Sequence, residues 1–306
     1  MDKKKTQKRK ENLQGTLFAS PPLVAFALFG LIPLLVSLVL SFCLVEYNYE
    51  GGVDLTFIGF RNYINILTND ERFLKSIGNT FLYSIINVFL QIILSLILSI
   101  CLNAKIKFKR AIRTILFIPY VCSTVAIAIM WKWVFDYNYG ILNDIFTYLN
   151  LDPVNWLRDS KTAMSVIILM SVWSGLGFNM ILYSAALGSI SKTYYEAAEM
   201  DGASKLQQFF HITLPQLKPI SFYLIIMGFI GSLQSFANFQ IMTPDGGPND
   251  STLTMGFRVY QVAMGDDANI PGWGMGYASA MGWIVGLIVI VFVVLYFYIN
   301  NRKGND

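Results

Sequence analysis

Long apolar runs recur along this chain, and they restrict its possible folds more than any other feature of the sequence. Each run is close to the roughly 20 residues that a helix needs to cross a hydrocarbon core about 30 Å thick. Because lipid offers no hydrogen-bond partners, the backbone of such a run must satisfy itself as a helix. An apolar content of 55% with only 14% charged residues excludes an ordinary soluble fold. We therefore predict an all-α integral membrane protein with six transmembrane helices, at residues 17–45, 77–102, 114–135, 162–187, 219–242 and 273–299.

The lysines and arginines concentrate on one side of these spans. Of the 23 such residues, 16 lie in the basic amino terminus (1–16), in the loops after the second and fourth spans, and in the carboxyl terminus (300–306). Cytoplasmic loops carry the excess of positive charge, so both termini are predicted to be cytoplasmic. The first apolar run is too long for a signal peptide, which predicts a retained anchor helix, kinked at Gly30 and Pro33.

Catalytic and metal-binding patterns are absent from the sequence. It has one histidine, His211, no glycine-rich phosphate loop, and no Ser, His and Asp set typical of a hydrolase. Cys43, Cys101 and Cys122 lie in apolar runs and are odd in number, so neither a disulfide framework nor a metal site is predicted. The net charge of +4 is dispersed over loops and does not indicate nucleic-acid binding. The chain is therefore not expected to be an enzyme.

Neutral hydrogen-bonding side chains occur within three of the predicted spans. They are Asn87, Gln91, Ser171, Ser174, Asn179, Tyr183, Gln234, Ser235, Asn238 and Gln240. Hydrogen bonding between helices, worth about 0.6–2 kcal/mol, is one explanation. Their grouping with Trp173, Phe178 and Phe236 also suits a sugar, which needs polar partners for its hydroxyls and flat aromatic faces for its C–H surfaces. Gln234 and Asn238, four residues apart, would share one helix face. On these residues alone, helix packing and a neutral pathway both stay open.

The loop between the fourth and fifth spans, residues 188–218, carries a motif of seven fixed positions. They are Glu196, Ala197, Ala198, Gly202, Ile212, Leu214 and Pro215. Helix formers precede Gly202, which can adopt the positive φ that ends a helix, and residues 203–212 are predicted to form a second short helix closed before Pro215. The motif closely resembles the cytoplasmic coupling loop of ABC-importer permeases, which are membrane subunits that dock on a separate ATPase.

A second segment narrows the resemblance. Phe236, then Gly246-Gly247-Pro248 and Ser251-Thr252, resembles the segment after the penultimate helix of carbohydrate-type ABC permeases, the relatives of the maltose importer. Alignment with that relative implies sugar contacts at Ser171, Ser174, Gly175, Phe178, Gly228 and Ser232. The relative has extra amino-terminal helices and a larger outer domain that this chain lacks.

The resemblance implies a function and a set of partners. The chain would be the permease of a binding-protein-dependent importer for a sugar, with an oligosaccharide as the expected cargo, in a bacterial or archaeal cytoplasmic membrane. Its partners would be a second permease, two ATPase subunits that bind ATP and Mg²⁺, an extracytoplasmic sugar-binding protein and membrane lipid. No cofactor is expected on this chain. The alternatives are an importer for glycerol-3-phosphate or a polyamine, a secondary carrier that works alone, and a membrane-embedded enzyme.

Overall fold

A computed structural model describes the backbone at residues 2–47, 52–103, 107–265 and 274–302. Its helices are α1 Asp2–Phe26, α2 Ile32–Ser41, α3 Arg61–Thr68, α4 Glu71–Asn103, α5 Lys109–Val121, α6 Thr124–Val134, α7 Ile141–Tyr148, α8 Ala163–Ser189, α9 Lys192–Met200, α10 Lys205–Gln208, α11 Leu214–Gln216, α12 Lys218–Leu233, α13 Ala237–Met242, α14 Met255–Ala263 and α15 Met275–Arg302. Two strands, β1 Cys43–Tyr47 and β2 Val53–Phe57, form an antiparallel hairpin. Lys105, Asp266, Asp267, Lys303 and the predicted start of the last span at Trp273 lie outside these residues.

Four helical segments are long and apolar enough to cross a membrane by length and composition: Gln14–Ser41, Glu71–Asn103, Ala163–Ser189 and Met275–Tyr298. Two further candidates are bent pairs. α5 and α6 meet at 100°, and the segment Lys205–Gln216 meets α12 at 62°. The described chain therefore has six spans when each bent pair is counted as one. The predicted third span is bent between α5 and α6, and the predicted fifth span is broken between α12 and α13. Membrane proteins tolerate broken helices where neighbouring groups satisfy the freed backbone.

The amino-terminal region departs from the prediction at both ends of its first span. The helix begins at Asp2, inside the predicted basic terminus, and ends at Ser41 rather than Val45. Cys43–Tyr47 is a strand, because Cys43 pairs with Phe57 and Tyr47 with Val53 in the hairpin. Hydropathy cannot separate these two states, since an apolar run suits a helix end and a strand equally well. The predicted first span is therefore too long at its carboxyl end, and the structure adds one short hairpin to an otherwise helical fold.

Two π-helical turns, Ala27–Leu31 and Phe209–Thr213, each lie just before a proline, Pro33 or Pro215. In each turn the residue before the proline donates its N–H to the carbonyl five positions back. A proline ring in a regular helix clashes with the carbonyl four positions back. The wider turn relieves this clash, so the helix continues through the proline. The second helix of the 188–218 loop accordingly runs to Gln216, and the prediction that it closes before Pro215 is wrong.

The described chain divides into two compact units. One comprises residues 1–69 and 261–284, and the other, the larger unit, comprises residues 70–260 and 285–306. In the first, the end of α2 is fastened to α3, because the Asn62 side-chain amide donates to the carbonyls of Ser41 at 2.9 Å and Cys43 at 3.1 Å. The Tyr63 hydroxyl donates to Ser41 Oγ at 2.7 Å. These bonds fix the point at which the helix turns into the hairpin.

The larger unit is organised around α4 and α8, with α5 against α8 and α12 against α4. One core cluster contains Tyr83 and Phe239, whose rings meet edge to face at 4.9 Å. α5 and α8 approach closely at Gly177, where an added Cβ would lie 2.2 Å from the Leu116 carbonyl oxygen. Small residues permit such approaches between membrane helices, where close packing replaces the hydrophobic effect. This packing positions the polar side chains of α4 and α8 beside one another.

Candidate functional site

A cavity of about 290 Å³ lies in the larger unit between α4, α5, α6, α8, α12 and α13. Its polar lining consists of Tyr83, Asn87, Gln91, Tyr120, Thr124, Ser171, Ser174, Ser232, Ser235 and Asn238. Among the residues that the structure describes, this lining contains no Asp, Glu, Lys, Arg or His. The cavity is therefore a site with many hydrogen-bonding groups and no charged side chain.

Six of the eight residues predicted for a substrate pathway line this cavity: Ser171, Ser174, Gly175, Gly228, Ser232 and Asn238. Phe178 and Gln234 do not. The ring of Phe178 stacks on Tyr120 with centroids 4.7 Å apart, and Tyr120 itself lines the cavity. Phe178 thus packs behind the cavity wall, whereas Gln234 is exposed.

A break in the fifth span separates Gln234 from Asn238. α12 ends at Leu233 and α13 begins at Ala237, so the two amides do not share a continuous helix face. Their spacing of four predicted a shared face only on the assumption of an unbroken helix. The break carries Asn238 into the cavity and leaves Gln234 outside it.

Gln91 is the centre of a hydrogen-bond network that joins α4 to α8. Its side-chain nitrogen donates to the Ser171 carbonyl at 3.0 Å and to Asn87 Oδ1 at 3.2 Å, while its oxygen accepts from Asn179 Nδ2 at 3.2 Å. Asn87 Nδ2 in turn donates to Ser232 Oγ on α12 at 3.0 Å. Three helices are thereby linked through neutral groups at the cavity wall.

Gly175 makes room for this network. A Cβ added there would lie 2.5 Å from Gln91 Nε2, a distance that forces the amide to move. Gly228 is also close, since an added Cβ would lie 3.1 Å from a methyl group of Val88. At both glycines, side chains from α4 occupy the space that a larger residue would take.

The amide of Asn238 is only half satisfied. Its nitrogen donates to Ser171 Oγ at 3.3 Å, but its oxygen is buried without a hydrogen-bond partner. A buried polar atom without a partner costs about 1–3 kcal/mol, so a ligand that donates a hydrogen bond to it would be favoured. The cavity thus offers an acceptor that matches a hydroxyl group.

Sequence reasoning did not assign Tyr83, Asn87 and Gln91 to the pathway. They lie four residues apart along α4, which places them on one helix face. This spacing of polar side chains inside a long apolar run was the signal that identifies them. For Asn87 and Gln91, helix packing and a pathway both stayed open, because the residues that they face could not be known from the sequence.

The 188–218 loop forms two short helices joined at Gly202. Ser191 caps α9 by accepting from the Thr193 N–H, and Ser204 and Gln207 form a reciprocal capping box at α10. Between them Gly202 has φ of +77°. Its N–H donates to the Glu199 carbonyl, and the next N–H, of Ala203, donates to the Ala198 carbonyl, a Schellman motif.

One face of this loop is anchored to the larger unit. The Tyr195 hydroxyl and Thr213 Oγ1 are hydrogen-bonded at 2.9 Å, which ties α9 to the π turn. Ile212 and Tyr195 pack against a cluster that includes Tyr183, Leu187 and Leu217. The two short helices are therefore held in a defined position at the end of α8.

The opposite face of the loop is exposed and mixed in character. Glu196, Ala197 and Pro215 are exposed, while Ala198 and Leu214 are half-buried. Three large apolar side chains are also exposed on the loop: Met200 by 89%, Leu206 by 68% and Phe210 by 53%. Several large apolar side chains exposed on one short loop favour a protein interaction site.

One ion pair crosses between the two short helices. Lys205 donates a hydrogen bond to the Glu199 carboxylate, and both side chains are largely exposed. The hydrogen bond from Lys205, with its charge, lowers the pKa of Glu199 below the ordinary value of 4.5. Glu199 therefore stays ionised at neutral pH, which keeps α9 and α10 joined by opposite charges.

Comparisons with known proteins all match this chain to membrane components of transport systems. The family model described as binding-protein-dependent transport system inner membrane component matches residues 91–304. The chain is 34% identical over 301 residues to the lactose transport system permease protein of Rhizobium radiobacter, covering 97% of each chain. It is 31% identical over 281 residues to the arabinooligosaccharides transport system permease protein of Bacillus subtilis, covering 91% of this chain and 85% of that protein.

A solved structure shares the fold. It is a bacterial ABC transporter described as involved in the import of the acidic polysaccharide alginate, with a TM-score of 0.83 and 22% identity, covering 99% of both chains. At this identity the likeness bears on the fold alone. The helical membrane architecture predicted for this chain is confirmed by it.

Proposed function

The chain belongs to the family of binding-protein-dependent transport system inner membrane components, and we propose that its cargo is an uncharged oligosaccharide. It is a permease of an ABC transporter, as its motifs predicted. The observation that carries this proposal is the cavity of about 290 Å³, whose described lining is polar and has no charged side chain. Amide and hydroxyl groups match the hydroxyls of a sugar without the desolvation cost of a charge. Relatives that transport lactose and arabinooligosaccharides support the same class of cargo.

The cavity suggests how the sugar would be handled. In this conformation Gln91, Asn87 and Ser232 satisfy one another. A sugar hydroxyl would donate to the unpartnered Asn238 oxygen and exchange with bonds of this network, so few polar groups would be left unpaired during passage. Because the network links α4, α8 and α12, its rearrangement would accompany a movement of these helices relative to one another.

The 188–218 loop would couple transport to ATP hydrolysis on another chain. Its exposed face of Glu196, Met200, Leu206 and Phe210 would dock in a cleft of an ATPase subunit on the cytoplasmic side. Closure of two ATPase subunits on ATP and Mg²⁺ would then move the bundle, to which the loop is anchored through Tyr195. This arrangement requires a second permease for the second ATPase, and an extracytoplasmic binding protein that delivers the sugar. The membrane would be the cytoplasmic membrane of a bacterium or archaeon.

The rival cargoes carry charge, and the cavity does not match them. Glycerol-3-phosphate needs an arginine or lysine partner, and a polyamine needs carboxylates. The described lining offers neither. A carrier that works without an ATPase would leave the exposed loop face without a role.

The test is ATP-driven uptake in vesicles that hold the chain with its partner permease, ATPase and binding protein. Labelled neutral oligosaccharides are compared with glycerol-3-phosphate and spermidine. We expect uptake of a neutral sugar only, lost when ATP is omitted. Uptake of either charged solute, with none of any sugar, would overturn the proposed cargo.

A matched pair of variants tests the cavity. Asn238→Ala removes the amide that faces the cavity and should lower sugar uptake about fivefold, since one hydrogen bond contributes about 1 kcal/mol. Gln234→Ala removes an exposed amide of the same segment and should leave uptake unchanged. Uptake is normalised to assembled transporter, so that loss of assembly is not counted as loss of transport. Equal uptake by both variants would contradict the site assignment.

A further inference from the structure

A second cavity, separate from the uncharged one, lies on the outer surface of the α4–α8 pair. Its volume is about 440 Å³, and its lining combines basic, polar and apolar side chains: Lys75, Asn79, Leu82, Ile86, Ser160, Lys161, Met164, Ser165, Ile168, Asn249 and Ser251. All of these residues belong to the larger unit. None of them belongs to the 188–218 loop or lines the cavity of about 290 Å³.

The lining changes from basic to apolar along both helices. On α4 the residues are spaced four, three and four apart, which places them on one face in the order Lys75, Asn79, Leu82, Ile86. At about 1.5 Å per residue, the change from lysine to Ile86 takes about 16 Å. Lys161 lies two residues before the start of α8, and Ser165 and then Ile168 follow it in the lining.

We place the amino-terminal ends of α4 and α8, where these two lysines lie, at a membrane boundary. α8 is 27 residues long and leads directly into the 188–218 loop, so Lys161 and the loop lie at opposite ends of one span. α4 runs in the same direction, because Lys75 and Lys161 line one cavity, whereas Gln91 further along α4 contacts Ser171 and Asn179 further along α8. In a bilayer crossed by these two helices, the lysines would lie at the level of the lipid headgroups, and Leu82 and Ile86, exposed by 52% and 37%, would lie at the level of the acyl chains.

The charged side chains in the lining of the cavity are both basic. Its described lining includes two lysines and no acid, and the first turn of α8 has no acid either. Three carboxylates lie near the lining: Asp250 pairs with the Arg72 guanidinium at 2.8 Å, Asp159 accepts the backbone N–H of Lys161 at 2.9 Å, and Glu71 lies one turn before Lys75 on α4. None of the three lines the cavity. Lys75 donates one bond to the Asn249 carbonyl, which leaves its ammonium further donors.

We propose that this cavity binds an anionic phospholipid, with the phosphate headgroup at Lys75 and Lys161 and the acyl chains along Leu82 and Ile86. The polar-to-apolar order of the lining follows the order of headgroup and chains in a lipid. A lysine near the membrane surface contributes about 1 kcal/mol of attraction to an anionic lipid, so two lysines select it over a zwitterionic one. The bound lipid would brace α4 against α8, the pair that carries the Gln91 network.

The test measures lipid retention by native mass spectrometry of the delipidated full-length chain, titrated with phosphatidylglycerol or phosphatidylcholine. We expect the wild type to retain phosphatidylglycerol at least about tenfold better, and the double variant Lys75→Gln, Lys161→Gln to lose this preference. The double variant Lys75→Arg, Lys161→Arg should keep it. Arg158→Gln removes an exposed cation near Lys161 that does not line the cavity, and it should behave as wild type.

Three results would overturn the proposal: equal retention of the two lipids by the wild type, an unchanged preference in the lysine-to-glutamine variant, or full displacement of the lipid by equimolar inorganic phosphate, which would indicate a free-anion site. The assembled transporter must show the same preference, because its loss on assembly would make this face a subunit interface. If the lysine-to-glutamine variant does not fold, the Ile86→Trp variant tests the proposal instead. The tryptophan fills the apolar part of the cavity without a change of charge, and it should reduce the retention of phosphatidylglycerol.

Discussion

Gly202 is the residue on which the shape of the 188–218 loop depends. Its φ of +77° is the left-handed conformation that L residues with a Cβ adopt at a cost of roughly 1–2 kcal/mol. No heavy atom lies within 4 Å of the position that an added Cβ would occupy. A substitution there therefore acts through backbone conformation and not through a clash. The angle between α9 and α10 is the property at risk.

Replacement of Gly202 by Val should strongly reduce ATP-driven uptake while the chain still inserts in the membrane. A β-branched residue disfavours positive φ, so the Schellman motif would be lost and the two helices reoriented. Gly202→Asn should retain most of the uptake, because Asn tolerates this conformation. Gly188→Ala is the control, since Gly188 also has no atom within 4 Å but lies in α8 without positive φ. Wild-type uptake by the Gly202→Val variant would exclude a role for the loop angle.

At the scale of elements, two ion pairs fasten α4 to the segments that follow α13. Arg258 on α14 pairs with Asp70 at 3.2 Å, with side chains exposed by only 3% and 7%. Asp70 also accepts the Phe73 N–H at 2.8 Å and so caps α4. Arg72 pairs with Asp250 at 2.8 Å, but these side chains are exposed by 38% and 24%. The protein thus has one buried and one partly exposed ion pair between an arginine and an aspartate.

The two pairs should differ in their contribution to stability. Arg258→Met leaves the buried Asp70 carboxylate without its cation, and we expect the free energy of unfolding to fall by about 3 kcal/mol. Arg72→Met breaks the more exposed pair and should cost at most about 1 kcal/mol. Denaturant titration of each variant in detergent micelles measures the difference. Equal losses would mean that burial does not set the strength of these pairs.

At the scale of the whole molecule, the predicted orientation in the membrane depends on the distribution of lysine and arginine. The 188–218 loop directly follows α8, and the loop between α6 and α8 precedes that span, so these two loops lie on opposite sides. Asp144 and Lys205 are exposed residues of the two loops. The excess of basic residues predicts that Lys205 faces the cytoplasm.

Single cysteines report this orientation. In a background in which Cys43, Cys101 and Cys122 are replaced by Ala, the Asp144→Cys variant should react with a membrane-impermeant maleimide in intact cells. The Lys205→Cys variant should react only in inverted vesicles. The reverse pattern would place the 188–218 loop outside and remove its proposed contact with an ATPase.

Hydropathy, charge and one loop motif were enough to determine the membrane class and the family of this protein. Each is a local property: the length of an apolar run determines whether it can cross a bilayer, whatever its neighbours are. Likewise Gly202 was identified as a helix end from its own conformational freedom, and its φ agrees.

Only the tertiary structure decided which polar groups face the cavity. Gln234 and Asn238 were equivalent by spacing, and the break between α12 and α13 separated them. Gln91 was ambiguous until α8 placed Ser171, Gly175 and Asn179 around it. The Cys43–Tyr47 strand likewise depends on its partner strand. The physical reason is common to all three: periodicity describes one uninterrupted element, whereas the environment of a side chain is set by the elements that pack against it.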